Sequence, residues 1–431
     1  MLKDGFTEFK NREDSKLGFS EDLAVLAKPL KIGSHTAHNR IVYQPMEGCD
    51  GTSDGAPDDL TIRRYRRLAA GGMGILWFEA TACMETGRAN PRQLWITENN
   101  LDAFKRIVSE IKEICMKENG FSPVVIMQNT HSGRYSKPYG KPLPVIARNN
   151  TIFEKDSPID PDRIVSDEEL DKVSEALVEN ARLAELAGFD GVDVKCCHGY
   201  LQNEMFSCYN RPGRYGGSLE NRSRLLRETV SGINAIKSRD FIVTTRFNIY
   251  DGFPYPEGFG VSKDGGLEPD YDEPGRVIAW LYELGVRLIN ITMGNPYVNP
   301  HVNRPYKNSA FEPPMSGVAR LIEGCIEVSK EFKDIATVCS GFSYPEEYGA
   351  NIAAYYVGRD DFAFAGFGRQ IFAYPDLARD IIGGDGLSRN KCCITCGKCT
   401  EIMRAGGTPG CVVRDAGVYF PIYKKYVKNT L

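Results

Sequence analysis

Eight times along this chain a short β-branched, apolar run gives way to a longer stretch with apolar residues at helical spacing. The runs are 41–46 (IVYQPM), 74–80 (GILWFEA), 123–128 (PVVIMQ), 191–195 (GVDVK), 242–247 (IVTTRF), 287–292 (RLINIT), 335–341 (IATVCSG) and 362–366 (FAFAG). Between them, stretches such as LDAFKRIVSEIKEICMK repeat apolar residues three and four apart, the period of a half-buried helix. Eight strand-helix units of this kind predict an α/β fold, a TIM (β/α)8 barrel over 26–385. A charged arm over 1–25 precedes it, and a cysteine-rich extension over 386–431 follows.

The barrel reading fixes where chemistry can lie, because such barrels build their sites from the C-terminal ends of the strands and the loops beyond. VDVKCCHGYL (192–201) then becomes the fourth strand's end and its loop. Cys196 and Cys197 are adjacent and point opposite ways near a strand end, so they can hardly join His198 in one metal site. Lys195, His198 and Tyr200 are the candidates for substrate chemistry, the bland alternative being an ion pair and a packed phenol. The connection 131–165, rich in Pro, Lys and Asn, is predicted as a structureless loop acting as an active-site flap.

CSGFS after the seventh strand and GFGRQIF after the eighth bring Gly341, Gly368 and Arg369 to the end where such barrels commonly bind phosphate. Glycines alone would be ordinary turn residues; the arginine and the barrel position favour an anion site.

Thirteen cysteines would suit a disulfide scaffold only in an exported chain. The N-terminus MLKDGFTEFKNREDSKLGF is charged and lacks an apolar signal stretch, which predicts a cytoplasmic protein without a membrane span. A net charge of −4 and the absence of basic tracts argue against nucleic acid as a partner. Five cysteines crowd into 392–411, and Cys393, Cys396, Cys399 and Cys411 give the spacing C-x2-C-x2-C-x11-C. Three thiolates on one tight loop and a distant fourth suit the corners of a 4Fe–4S cluster. Zinc is the rival ion, and Cys392 offers a second register.

NRIVYQPM, GGMGILWFEA, MQNTHSGR, HGYLQNEMF, RYGGSLENR and GFGR, in this order between about residues 26 and 377, resemble the Old Yellow Enzyme family of flavin-dependent barrel oxidoreductases. The cysteine tail further resembles that family's iron–sulfur branch, which includes 2,4-dienoyl-CoA reductase, trimethylamine dehydrogenase and 2-enoate reductases. The resemblance implies FMN, with its phosphate at Ser340, Gly341, Gly368 and Arg369. It implies Pro45, Met46 and Ala80 along the isoalloxazine, Gln128 at the pyrimidine edge and Arg246 near N1. Glu47 stands where the family often has Thr or Cys beside the flavin, and lysine at 195 is a second departure.

The resemblance also implies an ene-reductase acting on an α,β-unsaturated carbonyl or carboxylate. Hydride would come from FMN N5, a proton from Tyr200, and an oxyanion contact from His198 and Lys195. Large nucleotide-binding domains that follow the cluster in bigger relatives are absent from this sequence. Electrons are therefore expected from a separate donor such as a ferredoxin, a flavodoxin or a reductase subunit, with NAD(P)H as a further option. Two other readings are an amine dehydrogenase or demethylase, disfavoured by the cation at 195, and an electron-transfer subunit. A homo-oligomer is compatible with all of these.

Overall fold

The computed structural model describes residues 2–13, 15–155 and 157–428. A short antiparallel hairpin, β1 (Leu30–Ile32) and β2 (His35–Ala37), comes first. The eight barrel strands are β3 (Ile41–Tyr43), β4 (Ile75–Ala82), β5 (Val124–Thr130), β6 (Gly191–Val194), β7 (Ile242–Asn248), β8 (Leu288–Thr292), β9 (Ala336–Cys339) and β10 (Phe364–Phe367). Each pairs in parallel with its sequence neighbour, and β10 returns to β3, so the sheet closes. This is the (β/α)8 barrel that the alternation predicts.

Local chemistry explains the element ends. Ser166 caps the helix Asp167–Leu186 by accepting from the Glu169 amide, while the Glu169 side chain accepts from the Ser166 amide. The helix Leu101–Asn119 stops at Gly120, which adopts a left-handed φ of 79°. The first barrel strand is shorter than predicted and ends at Tyr43. Pro45 has no amide hydrogen for a ladder, and the chain leaves the sheet as a loop that brings Met46 and Glu47 over the barrel mouth.

Alternate strand residues point inward. Val42, Ile75, Trp77, Val124, Ile126, Leu288, Val338 and Phe364 fill the lower barrel together with Ile32 and Ala37 of the hairpin, which plugs the N-terminal mouth. Toward the C-terminal mouth the inward positions turn polar: Gln44, Gln128, Asp193, Asn290 and Ser340. One irregularity in β4 matters for the site. Phe78 opposes Met127 and Ala80 opposes Gln128, so Glu79 is the extra residue of a bulge. Glu79 thereby joins Phe78 on the outer side, where buried Arg64 pairs with both Glu79 and Asp50. Glu79 also accepts from the Gly48 amide at 2.8 Å, which anchors the loop carrying Glu47.

Two segments are better packed than the sequence suggests. The peripheral arm contains a helix, Leu2–Arg12, whose Phe6 stacks on Phe19 at 4.2 Å and meets Tyr348 edge-on at 5.5 Å. The connection 131–165 is not structureless. It contains three short helical turns, and Arg134 pairs with Glu154 and Glu204 in a buried cluster.

Candidate active site

The C-terminal mouth holds a cleft with about 1070 Å³ of empty space, built from the loop after β3, the ends of β5 to β7, the loops after β8 to β10 and the cysteine tail. Its floor is organised around Asp193, an inward residue of β6 that sequence reasoning missed although the strand's alternation marks it. The buried carboxylate accepts from Trp77 Nε1 at 2.7 Å, Gln128 Nε2 at 2.7 Å and the Arg246 amide at 2.6 Å. Burial raises its pKa, and these donors oppose the rise. One amide hydrogen of Gln128 is thus committed to Asp193, and Gln128 itself lines the cleft. Arg246 lines the cleft without a carboxylate partner among the described residues, and its Nε has no hydrogen-bond partner. Ala80, registered opposite Gln128, is fully buried and is not among the lining residues, and its carbonyl accepts from Gln93.

At the opposite end Ser340, Gly341, Gly368 and Arg369 come together as predicted. Gly341 has a φ of 111°, which L side chains rarely adopt. Gln44 Nε2 donates to Ser340 Oγ at 2.9 Å, while Asn290 donates to Gln44 Oε1 at 2.7 Å. Arg369 donates to the Pro305 carbonyl at 2.8 Å and has no carboxylate partner among the described residues. A second arginine, Arg304, stands nearby. It donates to Thr400 Oγ1 at 2.7 Å and to the Pro296 carbonyl at 2.8 Å. Burial first, and then the charge of Arg369, pull its pKa down to about 10. Nothing in the sequence singled out Arg304, because its loop is long and irregular.

The end of β6 makes an unusual turn. His198 and Gly199 are both left-handed, with φ of 66° and 72°. A Cβ on Gly199 would stand 2.4 Å from Asn295 Nδ2, so only glycine fits. Lys195, directly after the strand, and Tyr200, beyond the turn, both reach Glu47. Glu47 Oε1 accepts from Lys195 Nζ at 3.2 Å and from Tyr200 at 3.3 Å, and Lys195 Nζ lies 3.4 Å from the Tyr200 ring centroid. Tyr200 also meets the Tyr297 hydroxyl at 3.1 Å. With its one hydrogen given to Glu47, Tyr200 accepts from Tyr297. Tyr297 packs on Tyr135 with centroids 4.3 Å apart, which brings the 131–165 connection to the site. Burial, and next the Glu47 carboxylate, raise the Tyr200 pKa well above its ordinary value.

Asn303 fixes the state of His198. Its amide nitrogen donates to the Met293 carbonyl at 2.9 Å, and the same nitrogen lies 2.8 Å from His198 Nε2. Nε2 must therefore accept, and Nδ1 carries the hydrogen. Burial, followed by the charge of Arg246, lowers the His198 pKa well below the ordinary value, so the ring is neutral. Cys196 and Cys197 are buried beside this turn.

In the tail, Cys393, Cys396, Cys399 and Cys411 line one cavity of about 400 Å³, which shares Arg369, Phe372 and Cys399 with the cleft. Thr395 and Gly397 have φ of 51° and 76°, and these left-handed positions curl the loop tightly between its cysteines. The Arg414 amide donates to Cys411 Sγ at 3.2 Å. Cys392 reaches the same cavity but is fully buried in the main apolar core. Among the described residues no three His, Cys, Asp or Glu side chains converge as ligands of a single ion would.

A sequence model described as the NADH:flavin oxidoreductase / NADH oxidase family matches residues 25–385. The NADPH dehydrogenase of Halalkalibacterium halodurans is 34% identical over 206 residues, which is 47% of this chain and 57% of that relative. The match therefore spans little more than half of the dehydrogenase's length. Among solved structures, the fold resembles a 2-naphthoyl-CoA reductase complexed with 2-naphthoyl-CoA, with a TM-score of 0.74 at 22% identity over 94% of this chain and 58% of that one. It also resembles an Old Yellow Enzyme from Pichia sp. AKU4542, with a TM-score of 0.64 at 23% identity over 85% of this chain and 89% of that one. The family model matches residues 25–385, a span that contains all eight barrel strands, and on that ground the chain belongs to the NADH:flavin oxidoreductase / NADH oxidase family.

Proposed function

We propose that the protein is an FMN-dependent ene-reductase that adds hydrogen across the C=C bond of an α,β-unsaturated carbonyl or carboxylate compound, with a 4Fe–4S cluster in its tail. The observation that carries this reading is Tyr200, a buried protonated phenol held between Glu47, Lys195 and Tyr297 at the mouth of the cleft. The cleft suits FMN on its own chemistry. Arg246 offers a guanidinium with an unpartnered Nε at the floor, and Arg369 with Gly341 offers an anion cradle at the far end. FMN, when bound, supplies the hydride. Cys393, Cys396, Cys399 and Cys411 would hold the cluster, which would supply single electrons, with a carrier protein as the donor and NAD(P)H as the alternative.

The chain's own residues then have defined tasks. His198 offers Nδ1–H to the substrate's carbonyl oxygen, where negative charge develops, and as a neutral ring it donates without releasing its proton. Tyr200 delivers its hydroxyl proton to the alkene carbon that does not take the hydride. Lys195, above the ring, stabilises the phenolate left behind, and Tyr297 is positioned to hand on a replacement proton. Tyr297 and Pro296 form an apolar wall over the cleft, which fits a flat conjugated substrate. The cleft lining carries Lys195, Arg246, Arg304 and Arg369 against the one carboxylate of Glu47, an environment that repels a protonated amine.

Tyr200→Phe tests the proposal. Stopped-flow oxidation of the reduced variant by cyclohexenone-type acceptors should slow by roughly 10²-fold or more, while reduction by dithionite or NADPH stays at the wild-type rate. Unchanged alkene reduction would remove Tyr200 from the mechanism.

A further inference from the structure

The charge of this chain is unevenly distributed. Residues 386–428 carry eight Lys and Arg against two Asp and Glu, in a protein whose net charge is −4. Both tail carboxylates are already occupied. Asp415 is paired with Arg63 and Arg67, and Glu401 accepts from Tyr423 at 2.6 Å. Lys398, Arg404, Arg414, Lys424 and Lys425 consequently have no carboxylate partner among the described residues.

Arg414 lines the cysteine cavity, Lys398 sits between Cys396 and Cys399 on its loop and over the Tyr423 ring, and Lys424 and Lys425 follow Tyr423 directly in the chain. Cys396 is exposed, unlike the other three cysteines of the predicted ligand set. Ile394 and Val413 line the same cavity and are 36% and 37% exposed, and Phe420 on the following helix is 37% exposed. Lys398 lies 5.7 Å from the Tyr423 ring and Lys424 lies 4.7 Å from the Phe420 ring, so both cations stand against aromatic surface of the last helix. Solvent-exposed apolar side chains ringed by unpaired charge of one sign are the makings of a transient protein interface steered by electrostatics.

We propose that this face, centred on Cys396 and rimmed by Lys398, Lys424 and Lys425, docks an acidic one-electron carrier protein. The proposal rests on the cluster reading above. Each encounter would pass one electron from the carrier's reduced centre to the cluster that Cys393, Cys396, Cys399 and Cys411 would hold, and two encounters, with one proton from Tyr200 and one from solvent, would balance one alkene reduction. Weak, fast, salt-sensitive binding follows from an interface made of long charged side chains and three small apolar contacts.

The test uses the full-length holoprotein and a reduced acidic 2Fe–2S ferredoxin as the probe. The bimolecular rate of reduction should fall as salt is raised, and Lys424→Glu/Lys425→Glu should lower it by about tenfold at low ionic strength. Iron content and the rate of dithionite reduction should stay at wild-type values. A control, Lys31→Glu/Arg239→Glu, reverses the same charge at the opposite mouth of the barrel and should leave the rate unchanged. The idea is overturned if the tail reversals have no effect or if the control slows the reaction equally. Preferential binding to anionic lipid vesicles over the carrier would also overturn it. Calorimetric titration of the oxidised carrier separates the two claims. Iron-free protein that still binds the carrier, with binding lost in the tail variant, supports the docking face and sinks the cluster reading alone.

Discussion

At the scale of single residues, the site is held by the Lys195–Glu47 ion pair and a neutral His198, and a second neutral histidine, His131, lies buried at the end of β5 outside the cleft lining. Lys195 and Glu47 are 5% and 13% exposed at their side chains, so removing one partner leaves the other's charge stranded out of water. Glu47→Gln should destabilise the fold by roughly 3 kcal/mol, and adding Lys195→Met should recover most of that loss, as measured by a denaturant double-mutant cycle. His131 is fully buried, and burial pulls its pKa to about 4. Between that value and the ordinary 6.5 the unfolded chain binds a proton that the native state does not. His131 therefore contributes stability above pH 6.5 that is lost as the pH falls toward 4, on the order of 3 kcal/mol. His131→Gln keeps an acceptor for the Gly133 amide and should flatten the decline of Tm over that interval. Lys195 and Glu47 were visible in the sequence as departures from the family, and a pair between them was one option beside a substrate carboxylate; the structure forms the pair. They are 148 positions apart, and only the closed barrel brings them together.

At the scale of elements, two local irregularities aim the chemistry. The β4 bulge turns Glu79 outward to anchor the Gly48 amide and leaves Ala80 opposite Gln128. The double left-handed turn at His198 and Gly199 lifts Tyr200 off the end of β6. Gly199→Ala combines an unfavourable φ of 72° with a Cβ 2.4 Å from Asn295, which itself donates to Tyr135 and to the His198 carbonyl. We expect the variant to retain flavin absorbance while alkene reduction falls by at least tenfold, since the cost of the strained position, of order 1–3 kcal/mol, falls on the turn that orients Tyr200. The sequence placed the strand end and its loop at HGYL, but the double left-handed turn there came from the structure. The bulge was not legible either, because a single extra residue leaves GILWFEA looking like any other strand.

At the scale of the molecule, the tail is part of the cleft and not an appendage to it. The family match ends at residue 385, yet Cys399, Thr400, Met403 and Pro409 form a wall of the cleft. The tail is tied to the barrel by Arg304 to Thr400, by the Cys393 amide to Gln370, and by Asp415 to Arg63 and Arg67. A chain ending at 385 should therefore bind FMN roughly tenfold more weakly, read by fluorescence titration, because one side of the cleft is then open to water. No helix among the described residues is long and apolar enough to cross a membrane.

The sequence alone determined the barrel, the strand ends that line the cleft and the spacing of the tail cysteines. Each of these is written in local periodicity or in residues close together along the chain. The Lys195–Glu47–Tyr200 contact, the carboxylate of Asp193 under Gln128, and Arg304 between cleft and tail were decided only by the tertiary structure. Each depends on side chains from different strands meeting where the barrel closes, and closure is a property of all eight strands that no single segment carries.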